Sequence, residues 1–133
     1  MATTTASITI SSGDLTGDAL SLSSTATLTK ADKSTGLDQT TGVARKFFAS
    51  ITSAETLVSA SEYTADRAHK VYIKNTSTSN SEYINVELGA SNITIGRLYG
   101  GDWMFIPYNG DQDIDIDTSA VNMTVEYLVI YEA

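Results

Sequence analysis

The stretch GDQDIDIDTS, residues 110–119, places Asp111, Asp113, Asp115 and Asp117 at every second position, with Ile114 and Ile116 between the later ones. Carboxylates this dense could bind a divalent cation, exchange protons as an acid–base pair, or do no more than hold water. Strand geometry separates these readings. Alternate residues of a strand face the same side, so the four aspartates share one face and the two isoleucines the other. Burying the isoleucines turns the aspartates to solvent. Side chains two residues apart on a strand stand roughly 7 Å apart, too far for all four to reach one calcium ion at about 2.3–2.6 Å. The glycine and closing glutamate of an EF-hand loop are missing as well. The expectation is a solvated acidic face. The alternative is a calcium site at a strand end or subunit boundary, drawing on Asp111, Asp113, Asp115 and Asp117.

The remaining candidates for chemistry are sparse. His69 is the only histidine. It opens the apparent strand HKVYIKN and is expected at a surface or sheet edge. There is no cysteine, hence no disulfide, thiolate ligand or thiol nucleophile. Serines abound, but no Gly-x-Ser-x-Gly elbow presents one, and YGGD (residues 99–102) reads as a turn rather than a phosphate cradle. Two acidic residues could still meet in space as a glycosidase pair. No catalytic residue and no cofactor is assigned, and the chain is read as a non-enzyme. Tyr99, Trp103, Phe105 and Tyr108 form an aromatic group. Trp103 and Phe105 lie on one strand face, expected in the core or at a subunit interface; a sugar-stacking platform is the alternative.

The elements that must position these residues are strands. Two-residue alternation recurs at Ile8 and Ile10, at Leu20, Leu22, Ala26 and Leu28, and at Val43, Phe47, Ala49 and Ile51, where Arg45 interrupts. It continues in KVYIKN, YINVEL, Ile93 and Ile95, WMFIP, and a last strand whose inner face is Val121, Met123, Val125, Tyr127, Val129 and Tyr131. This pattern predicts an all-β chain, an antiparallel β-sandwich or jelly roll of about eight strands. NTSTSNS (residues 75–81) reads as a hairpin loop. SAETLVSASEYTADRA has a cap-like start but a weak apolar face, and is expected to be irregular or one short helix.

Residues 1–42 differ from residues 43–133. Eighteen of the first 42 are Ser or Thr, too few apolar groups for a core of their own. Their alternation says strand, either an edge strand of the same sheet or an assembly arm adding to another chain. TKADKSTGLDQTTG is expected to be a mobile loop or assembly contact. Residues 43–133 are expected to hold the sandwich core, the whole chain forming one domain.

The net charge is −8. Residues 1–98 hold 8 basic and 9 acidic groups, and residues 99–133 hold none basic and 7 acidic. Such a surface repels phosphate, which argues against nucleic acid and anionic membranes as partners. No apolar run reaches the roughly 20 residues of a membrane helix, and the first residues lack the basic and apolar regions of a secretory signal.

The series TGDALSLSSTATLTKA, TGVARKFFAS, HKVYIKNTSTSNSEYINVEL, IGRLYGGDWMFIPYNG, DIDID and MTVEYLVIYEA resembles small virion structural proteins of tailed bacteriophages, particularly marine ones. The resemblance covers most of the chain and is carried by strands and turns, not by an active-site motif. It implies a structural role in the particle, as a capsid decoration or cement protein bound to the major capsid protein or other virion proteins. The chain would be assembled in the bacterial cytoplasm, and multivalent attachment favours a homo-oligomer, a trimer by preference. A tail or baseplate component and a carbohydrate-binding β-sandwich for host attachment are the alternatives.

Overall fold

In the computed structural model, which describes residues 2–133, the alternation becomes eleven strands. They are β1 (Thr5–Ser12), β2 (Leu20–Thr27), β3 (Gln39–Thr40), β4 (Ala44–Phe48), β5 (Glu55–Val58), β6 (His69–Asn75), β7 (Tyr83–Leu88), β8 (Ile93–Tyr99), β9 (Trp103–Tyr108), β10 (Ile114–Thr118) and β11 (Met123–Tyr131). The count is eleven rather than the expected eight or so; the strands beyond the alternating runs are β3, of two residues, and β5, of four, both too short to show as alternation. The chain is all-β, every named strand pair is antiparallel, and no α-helix forms among the described residues. The SAETLV segment supplies β5 and then a single 3-10 turn at Ala60–Glu62.

Three sheets form. One is the isolated pair β1–β2, the second runs β5–β10–β7–β8, and the third runs β9–β6–β11, with β3 and β4 sharing the far edge of β11. The two larger sheets bury their side chains in one cluster. Val71 and Ile73 of β6 and Val125 and Val129 of β11 meet Ile84 and Val86 of β7 and Ile114 and Ile116 of β10, all fully buried. Each such side chain contributes about 1.5–3 kcal/mol over its exposed state.

Connectivity departs from expectation at the loops. NTSTSNS does not close a hairpin: β6 pairs with β11 and β9, whereas β7 pairs with β10 and β8, so the segment passes from one sheet to the other. Asn75 makes the crossing possible. Its buried side chain donates to the carbonyls of Glu82 (3.2 Å) and Leu98 (3.1 Å) and accepts from the Ser77 amide (3.0 Å). The YGGD and YNGD turns cross between the same sheets, with Gly101 and Gly110 at φ +88 and +89, where a Cβ would be strained.

Two strands present the face opposite to the one expected. In β4 the core receives Phe48, while Val43, Phe47 and Ile51 are exposed. A single phenyl ring opposite Met123 fills the core better than the longer run of apolar residues on the other parity. In β8 Leu98, paired with the buried Ile84, enters the core while Ile93 and Ile95 stay exposed, with a bulge between Val86 and Glu87 separating the two ends of the pairing. The N-terminal segment is neither an edge strand of the main sheets nor an extended single strand. It folds back as the β1–β2 hairpin, in register from Thr5↔Thr27 to Ser12↔Leu20. The loop after it is pinned rather than free: Leu28 and Leu37 are buried, and the Ala31 amide donates to the Glu132 carboxylate at 2.8 Å.

Candidate functional site

β10 brings three of the four aspartates to the outer face of its sheet, but not into open water. It lies between β5 and β7, so neighbouring side chains flank the row on both sides. Ile114 and Ile116 are fully buried, as the alternation requires. Asp113 accepts the Ala60 amide and Asp117 the Ala54 amide, each at 2.7 Å. These contacts tie the β4–β5 connection and the 3-10 turn to the strand. Asp115 is 7 % exposed, and its Oδ1 has no hydrogen-bond partner. Only Asp111, ahead of the strand, is exposed. The expectation of a uniformly solvated face is therefore corrected. The isoleucines set the direction of the aspartates, and the strand order decides their exposure.

Directly across from Asp115 stands Glu87 of β7, also 7 % exposed. Loss of hydration pushes the Glu87 carboxyl above the usual range, reinforced by the neighbouring Asp117 side chain and by the charges of Asp117 and Asp115. Arg97, on β8 of the same sheet, stacks on Tyr83 at 3.8 Å and donates to Asn85 at 2.9 Å, and it makes no ion pair. Among the described residues no three His, Cys, Asp or Glu side chains converge as a metal cage. The arrangement is a crowded acidic rung without a compensating ion pair.

His69 is fully buried, contrary to the surface position expected. Its Nε2 donates to the Thr64 carbonyl at 2.9 Å and its Nδ1 accepts the Glu132 amide at 3.3 Å. Tyr63, Tyr108 and Tyr131 pack around the ring with centroids 5.7–6.2 Å away. Both nitrogens are occupied by backbone, so this imidazole is a packing and bonding element with no free lone pair for a reacting group. Glu132 beside it also pairs with Arg67 at 3.2 Å. No sequence signal joined these residues, because the three tyrosines come from three distant segments.

The four aromatics singled out by sequence do not form one platform. Tyr108 is buried, its hydroxyl donating to the Gln112 carbonyl at 2.7 Å. Tyr99 lies on β8 against Tyr83 at 5.5 Å. Trp103 and Phe105 share the outer face of β9, 53 % and 37 % exposed, so the interior is excluded for both. Register lines them up with Leu128–Tyr72–Phe105 on one rung and Glu126–Lys74–Trp103 on the next. The β1–β2 hairpin lies over this face. Between them runs a groove of about 730 Å³, with Ala6, Ile8 and Ile10 on one side and Tyr72, Trp103 and Phe105 on the other. Its polar lining consists of hydroxyls and Lys70, without a carboxylate or carboxamide. A second hollow, about 410 Å³, lies at the Arg67, Ile95, Ile106 and Asp111 end.

The chain thus has two unlike faces: an acidic one on the β10 sheet and an aromatic one carrying Arg45, Lys70 and Lys74 on the β6 sheet. The first crowds carboxylates together, and the second leaves large apolar side chains exposed. No family model, curated protein or solved structure matches the chain.

Proposed function

We propose that this protein is a non-enzymatic virion component of a tailed bacteriophage, a decoration or cement protein that binds the outer capsid shell as a homo-oligomer, a trimer by preference. In this reading the two larger sheets form an antiparallel β-sandwich of jelly-roll type, and the β1–β2 hairpin is the assembly arm. The observation that carries it is the unsatisfied apolar surface. Ile8, Ile10, Leu20 and Leu22 on the hairpin and Phe47, Trp103 and Phe105 on the body are exposed together. Ile8 and Ile10 face Trp103 and Phe105 across one groove, and exposed apolar surface gathered in this way marks a contact with another protein. The polar clusters described above are closed or self-occupied, and the phage-like series of strands and turns points the same way. The major capsid protein is the proposed partner.

A carbohydrate-binding role is the second reading, favoured by the exposure of Trp103 next to Tyr72 (centroids 6.4 Å apart). Against it, the groove lacks the carboxylates and amides that would orient sugar hydroxyls. Cryo-electron microscopy of purified particles, with copy counting, tests the proposal. Regular outer-shell density in hundreds of copies supports it, and tail-only density moves the protein to the tail or baseplate. Absence from the particle, or glycan binding lost in Trp103→Ala, overturns the proposal.

A further inference from the structure

We propose that two copies of this chain exchange hairpins: each β1–β2 hairpin leaves the wall of its own groove and closes over the Tyr72, Trp103 and Phe105 face of the other copy, so that each subunit donates one hairpin and accepts one. This rests on the oligomeric part of the reading above, but not on where in a particle the oligomer sits.

The hairpin itself is the first argument. Its register puts Ala6, Ile8 and Ile10 on the same face as Leu20, Leu22 and Ala26. The opposite face carries Ser and Thr alone, from Thr5, Ser7, Thr9 and Ser11 across to Ser21, Ser23, Thr25 and Thr27. This is a ribbon built to bury one side. It pairs with neither larger sheet, and Ile8, Ile10, Leu20 and Leu22 remain 38–49 % exposed. A two-stranded ribbon standing alone is marginal in water and needs an apolar surface against its face.

The receiving surface is the second. Tyr72, Trp103 and Phe105 form the opposite wall, and the chain's own hairpin leaves about 730 Å³ open above them. Two apolar walls therefore face each other without closing.

Charge names the occupant. The hairpin carries Asp14 and Asp18 at its tip, and neither has a cationic partner among the described residues. The aromatic face carries Lys74, which lacks a carboxylate within 4.0 Å because Glu126 is held by Arg45, and Lys70, whose ammonium donates only to the Ala68 and His69 carbonyls. A neighbour's tip supplies the missing carboxylates. Elsewhere two copies of so acidic a chain repel, so this face is where they can meet.

The area suffices. A ribbon of eight-residue strands is about 27 Å long and roughly 10 Å wide. One donated and one accepted face bury about 550 Å² per chain, so a pair reaches the roughly 1,000 Å² expected of a specific contact.

The test uses the full chain. Trp103 is the only tryptophan, so its emission reports on the groove alone. Sedimentation of wild type at high micromolar concentration should give an oligomer with blue-shifted Trp103 emission that moves to the red on dilution. The Ile10→Ser/Leu22→Ser variant, altered only on the exposed hairpin face, should be monomeric with red-shifted emission and an unchanged far-ultraviolet circular dichroism spectrum. Phe105→Ser should dissociate the oligomer too. A monomeric wild type overturns the proposal, whether its groove is open, closed by its own hairpin or binds an apolar dye. An oligomer that the hairpin variant leaves intact overturns it as well. Absence from the virion, by contrast, would sink the capsid reading and leave this contact standing.

Discussion

Replacing Glu87 by Gln should stabilise the protein, and by an amount that grows with pH. Glu87 and Asp115 face each other across β7 and β10, both 93 % buried, and Asp115 Oδ1 has no partner. Directly opposed side chains on neighbouring strands are about 5 Å apart. Two full charges at that distance repel by about 3 kcal/mol at an effective dielectric of 20, which is a ceiling. Cross-strand pairs contribute closer to 0.2–1 kcal/mol. Glutamine removes the repulsion and adds an N–H that can donate to Asp115 or Asp117. A gain of about 1–2 kcal/mol at neutral pH follows, which raises Tm by roughly 3–8 °C for a chain of this length. The sign with pH is fixed by the raised Glu87 carboxyl. The folded state holds this proton to higher pH than the unfolded chain does. The group's stabilising contribution is therefore present below the unfolded value, near pH 4, and is lost as pH rises through the folded one. The advantage of Glu87→Gln should vanish in acid and open as pH rises. Thermal and urea melts of both proteins across the acid-to-neutral range measure it. An equal difference at every pH, or a less stable variant at neutral pH, would refute the opposition of charges.

Other substitutions probe the remaining structure. Asn75→Ala removes three side-chain hydrogen bonds at the sheet crossing and should cost about 2–4 kcal/mol in urea melts with an unchanged m value. Burial, then the Glu62 charge for Tyr63 and the Asp113 charge for Tyr108, push both phenols up to about 12. Tyr72 is raised as well, by burial and the Glu126 charge, so ultraviolet titration should show three of the seven tyrosines ionising late, and stability that is intact below about pH 10 should be lost above it. Ile114→Asp puts a carboxylate into a fully buried position. The cost of several kcal/mol is large beside a typical stability of 5–15 kcal/mol, so circular dichroism should show an unfolded or strongly destabilised chain.

Strand identity was legible where one face is purely apolar. β6, β7 and β11 alternate cleanly, because their inner side chains all enter the same cluster. In β10 the isoleucines announced which way the aspartates point. Their shielding could not be read, since it depends on β5 and β7 flanking the strand, and such pairings are non-local. The same limit hid the crossing at Asn75. Ser- and Asn-rich composition reveals a turn, but not whether the strands it joins are neighbours. His69 was misplaced because its three tyrosine neighbours are scattered from position 63 to 131. Glu87 gave no signal at all: its partners Asp115 and Asp117 lie almost thirty residues away in sequence and meet it only through the sheet register.

The places where alternation misled have something in common. Val43, Phe47 and Ile51 alternate as an apolar row yet are exposed, and so are Ile93 and Ile95. Trp103 and Phe105 were left between core and interface, and the structure excludes the core. In each case a large apolar residue sits on the side that the chain's own packing does not use. Several of these, with the half-buried Leu128 and Tyr72, spread over the outer face of one sheet: Phe47 at the β4 edge, Leu128 and Tyr72 across β11 and β6, Phe105 and Trp103 at the β9 edge. A protein selected only to fold would gain solubility by placing polar residues there. On the opposite sheet β10 and β7 do so, with Asp115, Asp117 and Glu87 on the outer face at the cost of charge crowding, although Ile93 and Ile95 of β8 remain exposed there. Conflict between local pattern and fold is expected where function overrides stability. Here that conflict falls on the face overhung by the hairpin, the face assigned above to protein contact.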